Sequence, residues 1–169
     1  MIHLYYGDGK GKTTAACGLA LRAAGSGMRV LFLQFFKDGS SSEIAVLSAV
    51  ENVTVKIPDV YYGRYKNMTE AERTAVAECY DKVLNEIAGR AFAYDLIVFD
   101  EAVSADAHGF FTHGRLLDLL KTEGARREIV LTGRSPAPEL LELADYATEM
   151  KKVKHPFDRG IPARRGIEY

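Results

Sequence analysis

Tyr6-Gly7-Asp8-Gly9-Lys10-Gly11-Lys12-Thr13-Thr14 decides how the rest of the chain is read. An apolar run, Ile2 to Tyr6, leads into it, and an Ala/Leu-rich run, Ala15 to Ala24, leads out. Strand, glycine-rich turn and helix form the context of a phosphate-binding P-loop. Gly7, Gly9 and Gly11 let the backbone curl so that successive N–H groups point at one anion. The following helix adds its unpaired N-terminal N–H groups and the positive end of its dipole. In this reading Lys12 reaches the terminal phosphates, and the Thr13 hydroxyl completes a Mg2+ shell. The general pattern G-x-x-x-x-G-K-[ST] asks for a glycine where Tyr6 stands, so the loop is shortened or differently wound.

Working outward, the helix spans about Thr13 to Ala24, and Gly25-Ser26-Gly27 stops it. The small residues Ala15, Ala16 and Gly18 suit close packing on a sheet. Arg29–Phe36 is a nearly continuous apolar strand, as expected when both faces of a parallel sheet are covered. A short helix over Ser41–Ala49 and a strand over Val53–Ile57 come next. Pro58 to Met68 is irregular, with Tyr61, Tyr62, Tyr65, Arg64 and Lys66. Thr69 and Glu72 form a capping box; Val76, Tyr80, Val83 and Ile87 recur at helical spacing, and Gly89 closes the helix.

Tyr94–Asp100 is a buried strand ending in Asp100-Glu101, the Walker B arrangement of an apolar strand with acids at its tip. Ala105 to Gly114 reads as a loop carrying His108, His113, Phe110 and Phe111; the two histidines are read as solvated or capping rather than metal-binding. A helix over Arg115–Lys121 leads to a strand over Glu128–Leu131. Thr132-Gly133-Arg134 follows at the presumed nucleotide edge, with Arg134 placed to meet a phosphate. Pro138–Leu143 starts a helix, and Tyr146–Met150 is a candidate sixth strand. The basic tail from Lys151 to Tyr169 is expected to pack through Val153, Phe157 and Ile161.

The fold class is α/β: one P-loop (RecA-like) domain over residues 1–169, with a mostly parallel five- or six-stranded sheet flanked by helices. With 47% hydrophobic and 27% charged residues, composition is ordinary for a globular protein. A net charge of −1 argues against general polyanion or nucleic-acid binding. Cys17 and Cys79 form no CxxC pair and read as free buried thiols in a reducing compartment. No apolar run approaches the about 18 residues of a membrane span, and the start reads as a core strand, so the expected location is cytoplasmic.

Spacing alone stops at an enzyme using Mg-nucleotide. The loop and helix G-D-G-K-G-K-T-T-A-A-C-G-L-A-L-R-A-A, then Q-F-F-K, D-L-I-V-F-D-E, I-V-L-T-G-R and the tail V-K-H-P-F-D-R-G-I resemble the ATP:corrinoid adenosyltransferases of bacterial cobalamin synthesis and salvage. That family's loop, G-(N/D)-G-K-G-K-(S/T)-T, accounts for the glycine missing at Tyr6. The tail is the most specific part, since a generic P-loop ATPase has no reason to share it.

The resemblance implies transfer of the 5′-deoxyadenosyl group of ATP to Co(I) of a reduced corrinoid, with release of triphosphate. It implies Mg2+ or Mn2+, a homodimer, a flavoprotein reductant and an ATP orientation reversed relative to ordinary P-loop enzymes. Carried onto this sequence, Gly7, Asp8, Gly9, Lys10, Gly11, Lys12, Thr13, Thr14 and Arg134 hold the nucleotide, with Lys12 and Arg134 catalytic. Thr13, Glu101 and Asp100 hold the metal. Aromatic side chains that displace the corrinoid's lower ligand are expected among Tyr61, Tyr62, Tyr65, Phe110 and Phe111; the sequence has no Trp for that role. The chain begins at its first strand, without the N-terminal extension that some members fold over the corrin. The alternatives are another P-loop kinase or ATPase, which releases ADP, and a nucleic-acid-binding ATP switch, which shows steeply salt-dependent binding.

Overall fold

A computed structural model describes residues 1–112 and 114–169; the expectation for His113 lies outside them. Six strands form one sheet: β1 (Ile2–Tyr6), β2 (Val30–Gln34), β3 (Val53–Lys56), β4 (Leu96–Asp100), β5 (Glu128–Gly133) and β6 (Tyr146–Glu149). Their order is β3-β2-β4-β5-β1-β6, and every neighbouring pair is parallel. Helices α1 (Lys12–Gly25), α2 (Ser42–Ser48), α3 (Glu70–Arg90), α4 (Ala102–Ala107), α5 (Arg115–Glu123) and α6 (Pro138–Leu143) make the connections. The sheet bears out the α/β reading, including its sixth strand.

The continuous apolar strands are explained by cover on both faces. Alternate residues point to opposite sides. Val30, Phe32, Val98 and Val130 pack with Ala16, Ala20, Ala23 and Ala24 of α1 and Leu47 of α2. Leu31, Leu33, Ile97, Phe99 and Leu131 pack on the other side with Val76, Tyr80, Val83 and Leu84 of α3. The alanines that seat α1 are therefore Ala16, Ala20, Ala23 and Ala24; Gly18 is exposed, with open space around it.

Register brings the strand tips together. Tyr6 pairs with Gly133 and with Glu149, and Gln34 pairs with Asp100. Every connection that leaves these tips lies on one edge, where open α/β sheets bind ligands.

Three expectations change. The α3 helix runs past Gly89 to Arg90 and on into a 3-10 turn at Ala91–Ala93. Its start is as read: Thr69 and Glu72 make the capping box. The segment after Asp100-Glu101 is a helix, α4, for its first turn and a half rather than loop from Ala105. That helix leans on β5 so closely that a Cβ at Gly133 would lie 2.5 Å from Val103 Cβ. Finally, the tail's apolar side chains do not pack: Val153 is 84% exposed and Phe157 71%. Polar contacts pin the tail instead. The Lys152 N–H donates to Asp8 (2.8 Å) and Ser42 donates to the Tyr169 carbonyl (3.0 Å), while Lys152 pairs with Asp158 (2.9 Å) within the tail itself.

Candidate functional site

The glycine-rich loop lies against the end of β6. The Gly9 N–H donates to the Met150 carbonyl at 2.6 Å, and the Gly7 N–H to the Arg134 carbonyl at 3.1 Å. A Cβ on either Gly7 or Gly9 would lie 2.6 Å from the Met150 carbonyl oxygen. Glycine is needed there because another backbone passes too close for a side chain. Two of the loop's amides are thus engaged within the protein, a division of labour that the motif did not reveal. Gly11, at φ 115°, caps α1 and has no side chain to offer its first turn. The N–H groups of Lys12, Thr13 and Thr14 open that helix and are the ones suited to an anion.

Lys12 bends back, and its Nζ donates to the Gly9 carbonyl at 2.6 Å. Desolvation pulls its pKa below the ordinary lysine value, Glu101 works in the opposite sense, and Arg134 adds to the lowering. Lys12 on the loop thus senses the charges of Asp100 and Glu101 at the tip of β4 and of Arg134 at the tip of β5. Asp8 is held below the usual carboxylate range, first by the Lys152 backbone N–H.

At the tip of β4 the two acids have separate environments. Asp100 is fully buried, accepting from Thr132 Oγ1 (2.7 Å) and Gln34 Nε2 (3.0 Å). Glu101 is left-handed (φ 60°), its N–H donates to Thr132 Oγ1 (2.8 Å), and its carboxylate accepts from Ser104 (2.7 Å). Thr132 thus donates to one acid and accepts from the backbone of the next. Left-handed backbone at a non-glycine residue is uncommon, and the surrounding hydrogen bonds hold it here.

Of the clefts that border the loop, two bear on its chemistry. One, of about 490 Å³, is lined by Lys10, Thr13, Thr14, Lys37, Glu43 and the chain's last residues, Gly166 to Tyr169. Cys17 also lines it, its thiol pushed up to about 12 by burial and by Asp100 and Glu43. The other, of about 860 Å³, is lined by Phe36, Tyr61, Tyr65, His108 and Phe157, with Arg64, Lys66, Arg134, Lys152 and Asp8 among its charged groups. Tyr65 stacks on His108 (centroids 4.0 Å apart, planes 11° apart) and carries the Arg73 guanidinium 4.5 Å from its ring centre.

Of the aromatic residues expected at the corrinoid, Tyr61 and Tyr65 line this large cleft. Tyr62 is exposed beside it. Phe110 and Phe111 are buried at 2% and 6% exposure. Phe110 supports the cleft from behind, edge-on to Phe36 (5.2 Å) and Tyr65 (5.6 Å). Sequence reasoning did not place Phe36, His108 or Phe157 there. Phe36 stands two residues past the tip of β2 and His108 just past α4, so proximity to the strand tips was the available signal.

Among the described residues no group of three or more His, Cys, Asp or Glu side chains gathers as an all-protein metal cage would. Two carboxylates and a helix-start hydroxyl suit a cation that also takes phosphate oxygens, as Mg2+ does. Donors of those types stand at the tip of β4, Asp100 and Glu101, and at the start of α1, Thr13.

The profile of the family "ATP:corrinoid adenosyltransferase BtuR/CobO/CobP" matches residues 1–169. The chain is 33% identical to a corrinoid adenosyltransferase of Pseudomonas aeruginosa over 171 aligned residues, covering 100% of this chain and 83% of that one. It is 30% identical to the corrinoid adenosyltransferase of Escherichia coli K12 and to corrinoid adenosyltransferase CobA of Salmonella typhimurium, covering 100% of this chain and 85% of each.

Proposed function

The chain belongs to the ATP:corrinoid adenosyltransferase family, and from that membership we propose that the protein is a corrinoid adenosyltransferase that moves the 5′-deoxyadenosyl group of ATP to the Co(I) centre of a reduced corrinoid. One observation carries the reading from family to residues. A glycine-rich loop suited to polyphosphate and a large aromatic cleft share one sheet edge, and Asp8 of that loop lines the cleft.

Cobalt(I) attacks C5′ in line with the leaving oxygen. The Co–C bond forms from the cobalt electron pair, the C5′–O5′ bond breaks, and its electron pair leaves with triphosphate. Cobalt is formally oxidised to Co(III). No protein nucleophile or base is required, so the protein contributes position and charge. Lys12 and the first-turn amides of α1 neutralise the leaving group, with Lys10 from the first cleft and Arg134 from the second. Thr13, Glu101 and Asp100 would hold Mg2+ or Mn2+, which would supply further positive charge. The nucleotide lies reversed relative to ordinary P-loop enzymes, bringing C5′ toward the aromatic cleft. Tyr61 and Tyr65 give that cleft an apolar wall against the corrin face, with Tyr62, Phe110 and Phe111 beside and behind it.

Residues 1–169 act in this reading as one P-loop domain, a cytoplasmic homodimer with a flavoprotein as electron source. Among the described residues no helix is long and apolar enough to cross a membrane. Lys12→Ala tests the loop assignment: the variant should fold, and lose transfer because charge at the leaving group is gone. Wild-type turnover by folded Lys12→Ala would overturn it. Glu101→Gln should raise the Mg2+ concentration needed for half-maximal rate; an unchanged requirement removes Glu101 from the metal set.

A further inference from the structure

Phe36 and Lys37, adjacent in sequence, serve different clefts. Phe36 is left-handed (φ 55°), which is rare for a bulky side chain. Its N–H donates to the Tyr80 hydroxyl at 2.8 Å, and its ring packs edge-on against Tyr80 and Phe110. The turn so held sends Phe36 into the aromatic cleft and Lys37 into the cleft with Lys10 and Thr13.

Lys37 is ion-paired but not hydrogen-bonded to its partners. Its Nζ stands 3.6 Å from Glu43 and 3.8 Å from Asp100, beyond hydrogen-bond reach of either. Gln34 bridges the same two acids, its Nε2 at 3.0 Å from Asp100 and 3.3 Å from Glu43. The Gln34 Oε1 is buried with no partner among the described residues. The site therefore holds an ammonium with donors to spare and an orphaned acceptor beside it, next to the loop. A buried donor or acceptor left unpaired is costly, and a ligand that re-pairs the set is favoured.

We propose that Lys37 is a further triphosphate-binding residue, held by Glu43 and Asp100 at the wall of the nucleotide cleft and donating to the phosphate chain when it arrives. The inference rests on the proposed nucleotide role of the glycine-rich loop. A triphosphate carries several negative charges. Lys10 lines the same cleft as Lys37, whereas Arg134 lines the opposite one, so Lys37 adds a second ammonium on the β2 side. Glu43 competes with phosphate for that ammonium.

The test is calorimetric titration of the full chain with magnesium tripolyphosphate and, separately, with adenosine. Lys37→Met keeps the apolar stem; it should weaken tripolyphosphate binding roughly tenfold, the effect of one charge-assisted hydrogen bond. It should leave adenosine binding unchanged, which a general loss of structure would not. Lys37→Arg should stay within about threefold of wild type, since the charge remains. Glu43→Gln keeps an acceptor for Gln34 and removes the competing charge, so it should tighten binding about two- to threefold, within the range of an exposed ion pair. Wild-type affinity in Lys37→Met, or no tightening in Glu43→Gln, overturns the assignment. Should Lys37→Met fail to fold, Lys37→Arg and Glu43→Gln decide it. If the wild type does not bind tripolyphosphate, or Lys12→Ala binds it equally well, the loop reading falls instead.

Discussion

Alanine at Gly9 and alanine at Gly18 should have opposite effects, although the chemical change is the same. At Gly9 the added Cβ would lie 2.6 Å from the Met150 carbonyl oxygen and 2.9 Å from the Met150 and Lys151 carbonyl carbons. All three are backbone atoms, so no side chain can swing aside. Gly9 is not among the glycines with positive φ, so close approach alone is being tested. Relieving such an overlap costs about 1–3 kcal/mol. Moving the loop away also weakens the Gly9–Met150 hydrogen bond, worth about 0.5–1.5 kcal/mol. The expected loss for Gly9→Ala is therefore about 1.5–4.5 kcal/mol. Gly18 sits inside α1, where an added Cβ would meet nothing within 4 Å, so Gly18→Ala should gain about 0.5–1 kcal/mol from helix propensity. Urea unfolding at constant m-value measures both. Because Lys12 docks on the Gly9 carbonyl, Gly9→Ala should also weaken MgATP binding, while Gly18→Ala should not. Gly9→Ala with wild-type stability would refute the close packing of loop on β6.

Thr132→Val keeps volume but leaves a buried Asp100 oxygen and the Glu101 N–H without their partner; a loss of about 2–4 kcal/mol, with reduced turnover, is expected in urea unfolding and steady-state assays. Tyr80→Phe removes the acceptor of the Phe36 N–H; stability should fall by about 1–3 kcal/mol, the corrinoid KM should rise, and triphosphate affinity should weaken with it because the same turn carries Lys37. Asp95 is held at about 2, first by its hydrogen bond from the Arg29 side chain. A depressed acid contributes stability above its unfolded pKa of about 3.9, and that stability is lost as pH falls toward the folded value. Asp95→Asn should therefore lower the melting temperature at neutral pH and flatten the acid limb between about pH 4 and 2; an unchanged slope would contradict it.

The strands and the loop were legible because physics marks them locally. Strand β2 is apolar at consecutive positions since both faces are covered, and β4 ends in acids at the ligand edge. The capping box at Thr69 and Glu72 fixed the start of α3 to the residue. Gly89 misled, because a glycine inside a helix packed through Val83, Leu84 and Ile87 is carried by tertiary contacts. Helix α4 was missed at six residues, too short for periodicity to show. The tail misled because apolar residues alone do not say whether a surface awaits them; here Asp8 and Ser42 do the anchoring. Phe36 and Lys37 entered the sequence reading only within the Q-F-F-K resemblance, with no role attached to either. Their roles come from a left-handed turn and a buried tyrosine hydroxyl 44 residues away, which only the folded chain brings together.

Adenosyl transfer itself is the most direct test of the functional account. The protein is incubated without oxygen with MgATP and chemically reduced cob(I)alamin; the corrinoid spectrum is followed and the released phosphate species is identified. The account predicts a light-sensitive Co–C product with an equal amount of triphosphate, both absent with Lys12→Ala. ADP or orthophosphate without corrinoid alkylation would contradict it.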